Sequence, residues 1–111
     1  MSKWYKTILE ERIGIDNIVL TAITKIELLA GAINKADIIK IGAYLNRYNI
    51  LLINDDFTLK AFSLIERYTL SHGLTLADSI IAATAIEANL ELFTYNTKDF
   101  KFINGLSLFK P

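Results

Sequence analysis

Residues 49–70 read NILLINDDFTLKAFSLIERYTL. The first five, Asn49–Ile53, form an apolar run with no polar alternation. That is the pattern of a short strand buried on both faces. Asn54-Asp-Asp56 comes immediately afterwards, and such residues cap helix starts by accepting free backbone N–H bonds. The spacing then predicts a helix to residue 70, with Leu59, Phe62, Ile65 and Tyr68 on its inner side. A doubly buried strand handing directly to a capped helix is the repeating unit of a parallel α/β sheet.

The same alternation extends to both sides. Asn17-Ile-Val-Leu-Thr21 is a second strand candidate, running into a helix over 22–30 that Gly31 stops. Residues 34–48 are helical, with Ile38, Ile41 and Leu45 at helical spacing. His72-Gly73 is a loop, and 76–89 is another helix. Glu91–Thr94 and Leu106–Phe109 are two further strands. Near the start, 3–12 reads as a short helix with Trp4, Ile8 and Leu9 on its apolar side. In parallel α/β sheets, sites form at the carboxyl ends of strands. Chemistry is therefore expected in the segments just beyond the strand ends.

The 111 residues suit one domain spanning 1–111. At 52% hydrophobic and 22% charged, the chain can bury a core. Twelve basic and twelve acidic residues cancel, which excludes nucleic-acid binding by bulk charge but not by a local basic rim. The absence of cysteine excludes disulfides, thiolate zinc sites and a cysteine nucleophile. One histidine, His72, excludes a multi-histidine metal site within one chain. The opening MSKWYKTILEER has charges throughout, unlike a signal or transit peptide. No apolar run approaches the roughly 18 residues of a membrane span. A soluble, cytoplasmic protein is expected.

Three acids stand where a site would form. Glu27 lies beyond the first strand, in TAITKIELLAG. Asp78 opens the apolar helix of LTLADSIIAATA. Asp99 lies beyond the strand ending near Thr94, in TYNTKDF. Gathered carboxylates repel unless a cation joins them, and an oxygen-only ligand set suits Mg²⁺ or Mn²⁺. Such sites favour phosphodiester hydrolysis. Each acid also has a plainer explanation. Thr75-Leu-Ala-Asp78 and Thr24-Lys-Ile-Glu27 both match a capping box, and helix dipoles favour acids there. If the first helix begins at Thr21, however, Glu27 falls in its second turn, where a cap is unnecessary. For Asp99, the alternative is a solvated ion pair with Lys98 or Lys101.

Other residues carry less weight. His72 could touch a phosphate from the rim, but a lone histidine after a helix more often closes its end. Lys25, Lys35, Arg67, Lys98 and Lys101 could border an RNA groove, although scattered surface lysines are usual. Trp4 and Tyr5 could stack on bases or pack the first helix. Tyr44, Tyr48, Phe57, Phe62 and Tyr68 have core-like spacing.

The segments TAITKIELLAGA and SHGLTLADSIIAATAIEANLELFTYNTKDFKFINGLSLF together resemble the PIN-domain ribonucleases, and within them the VapC-type toxins of toxin–antitoxin pairs. The resemblance runs from about residue 16 to residue 109. It implies a PIN-like α/β/α sandwich with a mostly parallel sheet, and Mg²⁺- or Mn²⁺-dependent cleavage of RNA. It also implies a homodimer or larger assembly, and a cognate antitoxin as partner. Residue by residue, Glu27 matches the acid of the ELLAG motif, Asp78 that of the LAD motif and Asp99 that of KDF. Thr94 and Asn96 match polar positions bordering the site.

The family pattern also places a strand bearing an Asp, in a form like DTNILI, upstream of the ELLAG helix. No such segment is present in this chain, and Asp16 does not match it. The expectation is an N-terminally truncated domain with its first strand missing. A lost central strand would leave backbone groups unpaired, so a partner chain or a collapsed gap should cover the region. Three acids instead of four should also weaken metal binding. The likeness leaves two functions open: a metal-dependent endoribonuclease with an impaired site, or a non-catalytic remnant that binds an antitoxin or oligomerises.

Overall fold

A computed structural model describes Gly14, residues 18–94 and residues 96–110. The helix expected over 3–12, with Trp4 and Tyr5, lies outside the described residues, as do Asp16 and Asn17. The expectation of a missing first strand likewise concerns a region outside them. The chain divides into two compact units, Met1–Leu52 and Ile53–Pro111.

In the first unit, strand β1 (Val19–Thr21) runs into helix α1 (Ala22–Ala30), then α2 (Lys35–Leu45), then β2 (Asn49–Leu51). The strands pair in parallel, Val19 with Asn49, Leu20 with Ile50 and Thr21 with Leu51. Two helices supply the long crossover that parallel pairing needs. Thr21 caps α1, its Oγ1 accepting the Thr24 N–H at 3.1 Å. The expected box of Thr24 and Glu27 is therefore not the cap: Glu27 lies in the second turn of α1. Helix α2 is capped by Asn34, and Asp37 reaches back to the residue before that cap. The Asp37 N–H donates to Asn34 Oδ1 at 2.8 Å, and the Ile33 N–H donates to Asp37 Oδ2 at 3.0 Å. The helix ends at Leu45, three residues before the expected limit, because 46–48 turn towards β2. Ile18, Leu45 and Tyr48 are buried.

In the second unit, Asn54 caps α3 (Asp55–His72), its Oδ1 accepting the Phe57 N–H at 2.9 Å. Gly73 ends the helix in the left-handed region, at φ 67°, where a side chain would be strained. Its N–H donates to Thr69 O at 2.8 Å. The turn leads within two residues to Thr75, which caps α4 (Leu76–Glu87). The face of α3 that turns inward is only partly the expected one: Tyr68 is buried and Ile65 half-buried, as the spacing predicts. Phe57, Ala61, Leu64 and Tyr68 are buried, whereas Leu59 and Phe62 are 62% and 58% exposed. Helix α3 carries two apolar stripes at helical spacing. The buried stripe contains the small Ala61, which lets α3 approach α4.

Helix α4 is apolar on most sides, as a fully packed helix should be. Ser79 and Ile81 through Ala85 are buried along it, with Ala82 and Ala83 fully inaccessible. Its buried hydroxyls bond back to the helix: Ser79 Oγ donates to Leu76 O at 2.6 Å, and Thr84 Oγ1 to Ile80 O at 2.8 Å. The strands expected over 91–94 and 106–109 contract to one parallel bridge, Leu92 with Leu108. Just beyond it, the Asn96 N–H donates to Thr94 Oγ1 at 3.1 Å. That local bond turns the chain away from further pairing.

The described residues thus form an α/β fold with a small parallel sheet and four helices. None of these helices is long and apolar enough to cross a membrane.

Candidate functional site

The turn between α3 and α4 faces a second turn, the short 3-10 segment Thr97–Asp99. Between them is a cavity of about 180 Å³. One wall is the run His72, Gly73, Leu74 and Thr75, with Asp78 beyond it. The other is Lys98, Asp99 and Phe102. The α3–α4 turn is anchored by Leu74, which is buried. The 3-10 turn is anchored by Phe100 and Ile103, both buried. It is closed by the Asp99 N–H donating to Asn96 O at 2.9 Å. Both walls therefore have apolar feet, and their polar side chains are left facing the gap.

Asp78 sits in the first turn of α4, where its N–H donates to Thr75 Oγ1 at 3.2 Å. Burial pushes its carboxyl above the ordinary aspartate value. The Thr75 side chain opposes that shift, and the negative charge of Asp99 adds to it. Two carboxylates far apart in the sequence thus feel one another electrostatically. Thr75 caps the helix by accepting the Asp78 N–H, and the Asp78 carboxyl lines the cavity while also engaging the Thr75 side chain.

Of the predicted site residues, Asp78 and Asp99 share this cavity. Glu27 belongs to the first unit, exposed on α1, and it is not the N-cap of that helix. Thr94 and Asn96 bond to one another and shape the approach to the 3-10 turn. Lys98 is the one proposed basic residue that lines the cavity. Among the described residues, no group of three or more histidine, cysteine, aspartate or glutamate side chains stands where it could hold a metal ion.

Sequence reasoning missed Phe102 and undervalued His72. Their rings stack with centroids 4.1 Å apart and planes 10° from parallel. Tyr68 meets both rings, Phe102 at 5.2 Å and His72 at 5.8 Å. No local pattern announces such a cluster, because its members come from two distant segments.

The donor set tests whether a divalent cation suits the place. It offers two carboxylates and a hydroxyl, with no thiolate. Hard cations take oxygen ligands, and Mg²⁺ commonly binds through one or two carboxylates plus water and substrate phosphate. A raised carboxyl beside a second carboxylate is also a place where added positive charge is favourable. By donor chemistry alone the two carboxylates suit such an ion, and among the described residues no third acid joins them.

Comparison with known proteins adds a family and two solved structures. The PIN domain family profile matches residues 2–105. A toxin–antitoxin complex from Klebsiella pneumoniae is similar at 35% identity and a TM-score of 0.67, over 79% of this chain and 70% of that one. DNA-bound VapBC from Salmonella typhimurium is similar at a TM-score of 0.81, over 97% of this chain and 84% of that one. Its identity is 16%, so it shows likeness of fold alone. No curated protein sequence matches.

Proposed function

Because the chain belongs to the PIN-domain family, we propose that it is a metal-dependent endoribonuclease of the VapC toxin type. The observation that carries this reading is the pairing of Asp78 and Asp99 in one cavity, where burial chiefly, and the charge of Asp99 further, raises the Asp78 carboxyl. Glu27, matched through the ELLAG motif, is the proposed third acid. The substrate is RNA, the partner a cognate antitoxin, and the assembly a homodimer or larger. The likeness to a toxin–antitoxin complex supports the antitoxin.

Mg²⁺ or Mn²⁺ bound by these acids supplies positive charge at the phosphate and makes a water a better nucleophile. The chain's own residues do the rest. Asp78 and Asp99 would hold the ion from two turns whose feet are buried, so little reorganisation would be needed when substrate arrives. Lys98 lines the same cavity and offers its ammonium to a non-bridging phosphate oxygen. In the reaction, the water oxygen bonds to phosphorus as the bond to the departing ribose oxygen breaks. That oxygen takes a proton from solvent, and the attacking water gives one up to solvent.

The test is cleavage of single-stranded RNA with Mn²⁺ by the wild type and by Asp78→Asn. The wild type should cut, and the variant should lose at least about a hundredfold of that rate while keeping its helical content. Undiminished cutting by Asp78→Asn would remove Asp78 from the mechanism. An inert wild type that still captures an antitoxin would make the chain a binding protein instead.

A further inference from the structure

The stacked rings of His72 and Phe102 have no part in holding an ion. They nevertheless line the same cavity as the two carboxylates. His72 is exposed, whereas Phe102 is half-buried. Phe102 therefore backs the imidazole on one side, at 4.1 Å, while Tyr68 meets the imidazole edge-on and Phe102 at a tilt. The imidazole is also held in its own plane, since Nδ1 shares a hydrogen bond with Ser71 Oγ at 2.7 Å. The left-handed Gly73 fixes where the helix stops, which sets the height of the ring beside the cavity. A flat ring backed by a second aromatic ring, held in plane and open to solvent, is what an unpaired nucleobase stacks upon.

We infer that the His72–Phe102 stack is a nucleobase platform that seats one base of a single-stranded RNA beside the phosphate to be cut. This rests on the nuclease reading above and names the part of the substrate that the cavity wall recognises. Stacking accepts any base, because every base has a π-face. The platform should favour flexible single strands over duplexes, whose bases are already stacked and paired.

The experiment uses the full chain and a fluorescein-labelled single-stranded RNA of mixed sequence. Binding is read by anisotropy with Ca²⁺ in place of Mg²⁺, and cleavage separately with Mn²⁺. His72→Ala should weaken binding at least about fivefold, the low end for one stacked base. His72→Phe should restore it, since a ring remains, and His72→Arg should restore less. Phe102→Leu, which keeps most of the volume, should also weaken binding. In cleavage, the loss should fall mainly on KM. Binding equal in His72→Ala and wild type overturns the platform. So does binding lost in His72→Phe but kept in His72→Arg, which would assign the contact to charge. If the wild type cuts RNA and His72→Ala cuts it with unchanged KM, the platform fails and the nuclease reading stands. If the wild type binds RNA through His72 but never cuts it, the nuclease reading fails and the platform stands.

Discussion

The Tyr68 hydroxyl and the Asn104 backbone, thirty-six residues apart, meet in a hydrogen bond of 3.0 Å, with the Asn104 N–H donating. Tyr68 is buried on α3, and its ring also meets His72 and Phe102. One side chain therefore ties the last turn of α3 to the segment that carries Phe102. It sets the spacing of the two cavity walls.

Tyr68→Phe should cost about 1–2 kcal/mol, because it keeps the ring but removes the acceptor of a partly buried N–H. Urea unfolding with an unchanged m-value measures it. An unaltered midpoint would show that water replaces the hydroxyl without loss.

Asn54→Ala should cost about 1 kcal/mol by removing the cap of α3, and Asn54→Asp should recover most of that. Thermal unfolding followed by circular dichroism reports both. Equal loss in the two variants would mean that the amide serves some purpose other than accepting the Phe57 N–H.

The Asp78 carboxyl is raised, chiefly by burial and further by Asp99, against the pull of Thr75. A raised acid is protonated in both folded and unfolded chains below its unfolded pKa, so it costs nothing there. As pH rises through the folded pKa, the charged form becomes a burden that the folded state alone carries. Asp78→Asn should therefore gain stability relative to wild type between about pH 3 and pH 7. Melting temperatures of both proteins at those two values give the sign. A relative loss at the higher pH would show that the helix dipole outweighs burial.

In calorimetry, Mn²⁺ should bind the wild type, and Asp78→Asn or Asp99→Asn should each weaken it about tenfold or more, roughly 1.4 kcal/mol. Glu27→Gln decides the third acid. A matching loss makes Glu27 a ligand, whereas an unchanged affinity leaves the ion to the aspartate pair. The same ion should raise the melting temperature of the wild type and leave Asp78→Asn nearly unmoved.

Much of the molecule could be read along the chain. Helix α1 ends at Gly31 as expected, Asn54 is the cap it was expected to be, and Thr75 starts α4. The ELLAG and LAD motifs led to the family that the comparisons show. The misreadings have different origins. On α3, two apolar stripes satisfied the same periodicity, and the one containing Ala61 is buried. At 91–94, β-forming residues were present, but a bond from the Asn96 N–H to the Thr94 hydroxyl ended the pairing. His72 read as a loop residue beyond the helix, but it is the last residue of α3, and its ring lies on Phe102.

The sequence by itself determined the helix starts at Asn54 and Thr75 and the stop at Gly31, because caps and glycine stops are bonds between residues three or four apart and need no distant partner. It also determined the chemistry available: oxygen ligands, one imidazole and no thiol. Only the tertiary structure decided which stripe of α3 faces inward, and which side chains gather round the cavity. Those outcomes depend on surfaces that meet across dozens of residues, where shape and burial choose among arrangements that local periodicity leaves equal.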